Sequence, residues 1–423
     1  MEPNLPIRKT LLLIAIFVAF VLGGGGTSLP FQGSIIDSHK HSIFLWEVQH
    51  FMDKWLYRSK SWFTDTDQSS QDRISIVKHF FKLNGDLEQL HFELHKKNAT
   101  ENIDNDVRNS QNLKGLQHRI NEIAREQNKI RPIVEEKIEA EITATLDAMN
   151  ITRKFGPLRW PPVDFTFEDS PLVLITSPLF EIKRLPDQIL NPGITIAKQK
   201  LLEQEAESIG NVSALIVRVG GIATYPASVS PRGSLLSTIR IASHEWVHHH
   251  LIFTPLGRRW WDGGEIQSIN ESVADMVGKE VGDVTYTRLT GQILHKETRE
   301  SIRTKPKVQE EAAVFDFRKE LRETRIQLEK ILATKDLEET EKYLEERRAL
   351  LVENGFYIRK LNQAYFAFHG TYAKSPASLS PIGAQLLAVR KSSANLAEFL
   401  HQVSRIKSAE ELEQLAMRVG WTK

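Results

Sequence analysis

Three residues of this chain stand in a pattern that could support metal-dependent catalysis. His244, Glu245 and His248 form a His-Glu-x-x-His motif inside a largely apolar run, 235–253, which is typical of a buried helix. Residues four apart lie on one face of a helix, so His244 and His248 can bind one metal ion. Glu245 follows the first histidine and can reach a water molecule on the open side of that metal.

A second motif downstream supplies a third ligand. Tetrahedral zinc in a catalytic site has three protein ligands and keeps its fourth position for water. The sequence Asn-Glu-Ser-Val-Ala-Asp at 270–275 is compatible with a helix and offers Glu271 as that ligand. Asp275 follows one helical turn later, where it could accept the second ring N–H of a ligand histidine and fix its tautomer. We therefore expect a His2Glu site with Zn2+ as the cofactor.

The two motifs together resemble the gluzincins, the thermolysin-like branch of the zinc metallopeptidases. The resemblance covers roughly residues 211–278. It implies hydrolysis of a polypeptide substrate and a zincin-type domain with a small sheet and an active-site helix. The roles that it implies are zinc ligands His244, His248 and Glu271, general base Glu245, and a supporting acid Asp275.

The residues before the zinc helix differ from those of the aminopeptidases in this family. A strand is predicted at 214–219, followed at 220–229 by a turn into an edge strand, where Pro226 can be accommodated. In the family, such a strand pairs with an extended peptide substrate. The stretch 220–224 is Gly-Gly-Ile-Ala-Thr and lacks the acid of the aminopeptidase motif G-x-M-E-N. The resemblance therefore favours an endopeptidase over an aminopeptidase.

Two further features lie close to the ligands. His249 and His250 extend the histidine run, but helical geometry turns them away from the face of His244 and His248, so we do not expect them to bind the metal. The interval between the second and third ligands is a little longer than in the best-known gluzincins. Residues 254–268, rich in Gly, Arg and Trp, are predicted as the loop that accommodates the difference.

Peptide hydrolysis of this type also needs a donor that stabilises the oxyanion of the tetrahedral intermediate. The gluzincin resemblance implies a tyrosine or a histidine in this role. Tyr365, His369 and Tyr372 are the candidates, and each could equally be a core aromatic residue. We favour Tyr372 or His369, because Gly370 indicates a helix end near the cleft.

Composition narrows the class of protein. The chain has 423 residues, enough for two or three domains, and a formal net charge of +1 with mixed charges, so nothing favours a nucleic-acid partner. It contains no cysteine, which excludes disulfides, thiolate metal sites and cysteine nucleophiles. The oligomeric state does not follow from the sequence.

The first 33 residues are predicted to be a signal peptide or an N-terminal membrane anchor. Arg8 and Lys9 precede an apolar run at 11–22, and a glycine run follows at 23–26. No clear cleavage site is visible, so we favour an uncleaved single-pass anchor. The basic flank then stays in the cytoplasm and the catalytic domain lies outside it, or is secreted if the segment is cleaved.

The predicted fold is α+β and mostly helical. A helical N-terminal region spans 34–154, the catalytic domain spans 155–300, and a C-terminal helical region spans 301–423. The N-terminal region is expected to be a spacer or scaffold, and the alternative is an arm that guides substrate or mediates oligomerisation. Pro132 is expected to break or kink a long helix at 113–149. The glutamate helix should end near Gly278, before another helix at 281–295, and a charged helical hairpin should turn near 334–336.

Two alternatives to a peptidase remain. The first is an inactive zinc-binding pseudo-peptidase that acts as a membrane-tethered scaffold. The second is a structural protein in which the His-Glu-x-x-His motif is coincidental. Zinc content separates the second from the others, and cleavage by the wild-type protein separates the first from an active enzyme.

Overall fold

The computed structural model of the protein describes residues 34–43, 46–47, 49–50, 54, 70–100, 107–155, 158–294, 315–372 and 375–422. The predicted signal peptide or membrane anchor at 1–33 lies outside these residues. Within the described part of the chain, no helix combines the length and the apolar character that crossing a membrane requires.

The described chain is mostly helical with a few short strands, so the predicted α+β class is confirmed. The helices are α1 (Ile35–Ser38), α2 (Ser70–Thr100), α3 (Val107–Ala148), α4 (Ile196–Gly210), α5 (Leu235–Leu251), α6 (Pro255–Arg258), α7 (Gly264–Thr290), α8 (Phe317–Thr334), α9 (Leu337–Glu353), α10 (Gln363–Gly370), α11 (Ile382–Ser392), α12 (Leu396–Val403) and α13 (Ala409–Arg418). The strands are β1 (Arg153–Phe155), β2 (Leu158–Trp160), β3 (Phe165–Phe167), β4 (Leu172–Pro178), β5 (Gln188–Leu190), β6 (Val212–Arg218), β7 (Gly221–Ile222) and β8 (Ala227–Val229).

Among the described residues, the strands form three small sheets. β1 pairs with β2, and β4 pairs antiparallel with both β5 and β6. The third sheet has the order β3-β8-β7, in which β8 is parallel to β3 and antiparallel to β7. This third sheet packs against α5, which carries the His-Glu-x-x-His motif.

One hydrophobic core joins the N-terminal helices to the two motif helices. It contains Phe80 of α2, Ile138 of α3, Ile239 of α5 and Val273 of α7, together with apolar residues of α11, α12 and α13. The predicted domain boundary at residue 155 therefore runs through a shared core. Separate smaller clusters lie between the β4 sheet and α4, between that sheet and α10, and within the α8–α9 hairpin.

Pro132 does not break the long helix, because α3 runs through it without interruption. A proline inside a helix costs about 3 kcal/mol. Val134, Ile138, Ile142 and Leu146 recur every four residues and are all fully buried. Each buried side chain of this kind contributes roughly 1.5–3 kcal/mol, so their combined burial outweighs the cost of the proline.

The region between and after the ligands is more helical than predicted. Within the predicted loop 254–268, α6 begins after Thr254, whose hydroxyl caps it by accepting from the Gly257 N–H, and α7 already begins at Gly264. The predicted break after Gly278 is also wrong, since α7 continues to Thr290. Tertiary packing against α5 overrides the low helix propensity of glycine there.

The charged hairpin turns where the sequence predicts it. α8 ends at Thr334, Lys335 adopts a left-handed backbone conformation with φ of 58°, and α9 begins at Leu337. Asp336 caps α9 by accepting from the Glu339 N–H at 2.9 Å. A cap of this kind fixes the start of a helix independently of tertiary contacts.

The N-terminal region closes one edge of the β3-β8-β7 sheet. Glu139 and Glu135 of α3 accept hydrogen bonds from the backbone N–H groups of Phe165 and Phe167 at 2.8 and 2.7 Å. Buried Lys54 contacts both glutamates and also Asp164. The outer edge of β3 is therefore satisfied by side chains and cannot accept another strand.

Glu47 is a second buried acid from the N-terminal region. Its Oε1 accepts from the Tyr225 N–H at 3.1 Å, and its Oε2 has no hydrogen-bond partner among the described residues. Burial raises the pKa of Glu47 to about 7, although the hydrogen bond from Tyr225 lowers it. Glu47 is therefore more favourably buried as the neutral acid than as the carboxylate.

We expect Glu47→Gln to remove one component of the pH dependence of stability. The folded protein keeps the Glu47 proton up to about pH 7, whereas the unfolded chain releases it near pH 4.5. As pH rises from about 4.5 to about 7, Glu47 therefore lowers the free energy of unfolding by about 3 kcal/mol. Above pH 7 its contribution no longer changes with pH. Denaturant unfolding of both proteins at several pH values measures the difference, and parallel profiles would contradict the assignment.

Candidate metal centre

Helices α5 and α7 carry the two motifs and pack against each other. The crossing depends on glycines of α7. A Cβ at Gly278 would lie 2.7 Å from the Cα of His244, and one at Gly282 would lie 2.9 Å from the Cα of Arg240. Such contacts are too short for any side chain, so the two backbones approach as closely as glycine permits. This approach brings Glu271, two turns before Gly278, level with the histidines of α5.

The three predicted ligands converge on one point. The Nε2 atoms of His244 and His248 lie 3.0 Å apart, and Glu271 Oε2 lies 3.4 and 3.8 Å from them. Among the described residues, these three side chains form the group whose donor atoms all lie within 4.8 Å of one another. The arrangement brings together two ring nitrogens and one carboxylate oxygen, the donor set of a catalytic zinc site.

One buried atom shows that this cluster suits a cation. Glu271 Oε2 is shielded from solvent and has no hydrogen-bond partner within the described chain, since the contact from His244 lacks hydrogen-bond geometry. A buried carboxylate oxygen that accepts no hydrogen bond is costly, and a cation between it and the histidines would remove that cost. The residues present therefore fit a divalent metal ion.

The pKa values of the three candidate ligands are shifted because their side chains lie so close together. Burial lowers the pKa of His244, but the neighbouring Glu271 and Glu245 carboxylates outweigh burial and raise it to about 9. Burial raises the pKa of Glu271, but contact with His244 and the charges of His248 and Arg184 hold it near 2. Burial lowers the pKa of His248 to about 4. His244 Nε2 and Glu271 Oε2, 3.4 Å apart, thus lie at ion-pair distance where the candidate ligands converge.

Residues beside the ligands orient them. Asn270 Oδ1 lies 3.0 Å from Nδ1 of His248 and accepts its ring N–H, which leaves Nε2 to face His244 and Glu271. The ring of Trp260 packs edge to face against His248, with centroids 5.4 Å apart. Asp275, predicted to support a ligand histidine, acts electrostatically on His244 and raises its pKa.

Glu245 is buried beside the ligands and against the end of the edge strand. A Cβ at Gly221 would lie 2.6 Å from Glu245 Oε1, so the backbone of β7 lies directly against this carboxylate. Burial raises the pKa of Glu245 to about 7, while the charge of His244 lowers it and that of Glu271 raises it. A carboxylate with a pKa near neutrality is suited to accept a proton and to return it.

The edge of β7 next to Glu245 is open within the described chain. Ser230 donates to the Gly220 carbonyl at 2.9 Å, and Ile222 faces Ser228 in the ladder. Partners in an antiparallel pair alternate, so the N–H and C=O groups of the intervening Gly221 point away from β8. An extended chain could therefore form two backbone hydrogen bonds with Gly221 beside the Glu245 carboxylate.

The structure separates the three oxyanion-donor candidates. Tyr372 lies within electrostatic range of Glu271, Glu245 and Asp275, and burial followed by these charges raises its pKa well above the ordinary value. His369 packs against Tyr365, with ring centroids 4.2 Å apart, and burial lowers its pKa to about 4. Burial raises the pKa of Tyr365 to about 12. Of the three, Tyr372 is the one that the described interactions connect to the metal centre.

The other two histidines of the run make contacts elsewhere. His249 Nε2 lies 2.8 Å from the Thr224 carbonyl and accordingly carries the proton, and the ring of His250 packs against Trp246. Burial lowers the pKa of both to about 4. Neither belongs to the converging set of donor atoms.

Three residues near the site are not predicted from the sequence. Asn270 stands directly before Glu271 and its amide could have been assigned to a ligand histidine. Trp260 lies in the Trp- and Arg-rich segment between the ligands. Arg184, whose charge lowers the pKa of Glu271, lies 60 residues before His244, and no spacing rule connects the two.

No protein-family model, no curated protein and no solved structure matches the chain.

We expect Gly278→Ala to weaken metal binding as well as stability. The new methyl group would force α7 away from His244, at a cost of about 1–3 kcal/mol. Separating the ligand helices should lower affinity for Zn2+ by about 10- to 100-fold, as other changes that misorient a ligand histidine do. Thermal unfolding and Zn2+ titration measure the two effects.

The matched control is Gly85→Ala in α2, where a Cβ would meet no atom within 4 Å. It should raise stability by up to about 1 kcal/mol through helix propensity alone and leave Zn2+ binding unchanged. Equal behaviour of the two variants would contradict the role assigned to the α5–α7 crossing.

Proposed function

We propose that this protein is a zinc-dependent peptidase of the gluzincin type. The observation that carries the proposal is the convergence of His244, His248 and Glu271 beside the buried carboxylate of Glu245. When bound, a zinc ion acts as a Lewis acid that polarises a carbonyl group and makes water more acidic. Zinc is favoured over harder cations because two of the three ligand atoms are imidazole nitrogens.

The residues of the chain have distinct tasks in this proposal. Gly221 pairs with the backbone of an extended peptide and places a scissile carbonyl next to the ligands. Glu245 takes the proton of the attacking water and then donates it to the leaving amine. The Tyr372 hydroxyl donates a hydrogen bond to the oxyanion that develops on the substrate carbonyl. Asn270 keeps His248 in the tautomer that a metal ligand requires.

The proposed substrate and the proposed cellular location are both argued from the sequence. A polypeptide is the substrate, and internal cleavage is favoured because residues 220–224 carry no acid that could hold a free amino terminus. The apolar run at 11–22 supports an N-terminal anchor that keeps the catalytic region outside the cytoplasm. A zinc-binding pseudo-peptidase scaffold is the alternative, and turnover separates the two.

We predict that Glu245→Gln retains zinc and loses turnover. The amide is nearly isosteric with the carboxylate but cannot accept the proton of water, so cleavage of a denatured casein-type substrate should fall at least about 10²-fold. His244→Ala should lose both zinc and cleavage. The measurements are metal content by elemental analysis and peptide release by the full chain in detergent. Zinc without cleavage in the wild type would favour the pseudo-peptidase, and absence of zinc would refute the proposal.

Gly221→Ala tests whether the open edge of β7 serves the reaction. Its methyl group would displace the Glu245 carboxylate, and a displacement of about 1 Å can lower the rate about 10²-fold. Zinc content should stay at the wild-type value, since Gly221 touches none of the ligands.

Gly220→Ala is the neighbouring control for this experiment. Its Cβ would meet the flexible end of Ile241 at 3.0 Å, which can move, so turnover should change little. Equal loss in both variants would indicate a general disturbance of β7 and not a specific effect on Glu245.

A further inference from the structure

Arg184 has a side chain that is only 13% exposed, and the proposed mechanism does not use its charge. It lies in the connection between β4 and β5, and its guanidinium forms a two-pronged ion pair with Asp187, with Nε donating to Oδ1 at 3.0 Å. Its Nη1 donates to the Thr371 hydroxyl at 3.4 Å. The same group stacks over the ring of Phe368, 5.1 Å from the centroid.

Apart from Asp187, the contacts of Arg184 are at the C-terminal end of α10. Phe368 lies in the last turn and Thr371 directly follows it, and the Thr371 hydroxyl donates back to the Ala367 carbonyl at 3.0 Å. Tyr372 follows immediately, and its ring packs edge to face against Phe368 with centroids 6.0 Å apart. Arg184 therefore contacts both the residue that precedes Tyr372 and the ring against which Tyr372 packs.

Arg184 also acts electrostatically on Tyr372. The carboxylates of Glu271, Glu245 and Asp275 all oppose negative charge on Tyr372, whereas Arg184 favours it. Arg184 also acts on Glu271 itself. Positive charge near a phenol strengthens its O–H as a hydrogen-bond donor to a developing oxyanion, and the effect is larger where water is excluded.

We propose that Arg184, clamped by Asp187, is a positioning residue that holds the Tyr372 hydroxyl at the metal centre. Its catalytic part rests on the proposed peptidase function, whereas its structural part does not. Lysine cannot replace arginine here, since the planar guanidinium contacts Asp187 with two nitrogens, Thr371 with the third and Phe368 with its face.

Arg325 of α8 packs against another part of α10 and provides a matched control. Arg325 stacks over Phe366 of α10 at 6.0 Å, pairs with Glu329, and donates to the carbonyls of Phe366 and Ala377. It resembles Arg184 in ion pairing, in aromatic stacking and in contact with α10, and no interaction connects it to the described residues of the metal centre. Arg325→Met therefore measures the general cost of removing an arginine that packs against α10.

The first readout is independent of turnover. The full chain is produced with fluorinated tyrosine, and the signal of Tyr372 among the seven tyrosines is assigned by its loss in Tyr372→Phe. In metal-free protein, Arg184→Met should shift and broaden this signal, and Arg325→Met should leave it in place. An unshifted Tyr372 signal in folded Arg184→Met protein would overturn the proposal.

The second readout is turnover by the zinc-loaded enzyme. Arg184→Met should lower kcat by about 10- to 100-fold with little change in KM, close to the loss expected for Tyr372→Phe. Combined with Tyr372→Phe, it should cause little further loss, because the two residues act through one hydroxyl. Fully multiplicative losses in the double variant would show that Arg184 does not act through Tyr372.

The lysine variant keeps the test decisive if Arg184→Met fails to fold. Arg184→Lys retains the charge and should fold, yet it should displace the Tyr372 signal and lower kcat about tenfold. A wild-type signal and wild-type kcat in Arg184→Lys would overturn the proposal. If the wild-type protein cleaves no peptide, the peptidase function fails, and the fluorine signal alone still decides whether Arg184 positions Tyr372.

Discussion

The direct contact between the backbones of α5 and α7 is the constraint on which the rest of the structure depends. Gly278 lies against the backbone of His244, and Gly282 lies against that of Arg240. With the two axes this close, Glu271 reaches the histidines without any loop contributing a ligand. The apolar faces turned away from this contact are covered by α2, α3 and the last three helices, so one core supports both ligand-bearing helices. Rigid helices position a metal site more accurately than loops do.

The two edges of the β3-β8-β7 sheet, which packs against α5, differ in whether their backbone groups have partners within the described chain. The β3 edge is closed by glutamate side chains of α3, both of which contact Lys54. At the β7 edge, the backbone groups of Gly221 point outward, and its Cα lies against the Glu245 carboxylate. Open edges invite unwanted strand pairing, so proteins usually protect them. An edge that is left open beside a buried carboxylate is consistent with use by a substrate.

The sequence predicts those features that depend on spacing along one helix. His244 and His248 share a face because they are four residues apart, and the α8–α9 turn follows from the capping residue Asp336. The sequence does not predict features that depend on tertiary contact. Burial keeps α3 intact through Pro132, and the link from Arg184 to Tyr372 joins residues 188 positions apart. Spacing rules describe the first kind of feature, whereas the second arises only when distant elements pack.

Charge balance connects the metal centre to the residues around it. Glu245, Glu271 and Asp275 place three acids close together in a buried region, where unpaired carboxylates are costly. The basic groups that face these acids are Arg184 and His244, and the acids raise the pKa of His244. A divalent cation at this point would add positive charge and would ligate Glu271 Oε2, which accepts no hydrogen bond from the described residues. Metal binding, as proposed, would therefore relieve a cost already present in the folded chain, and metal affinity would be coupled to fold stability.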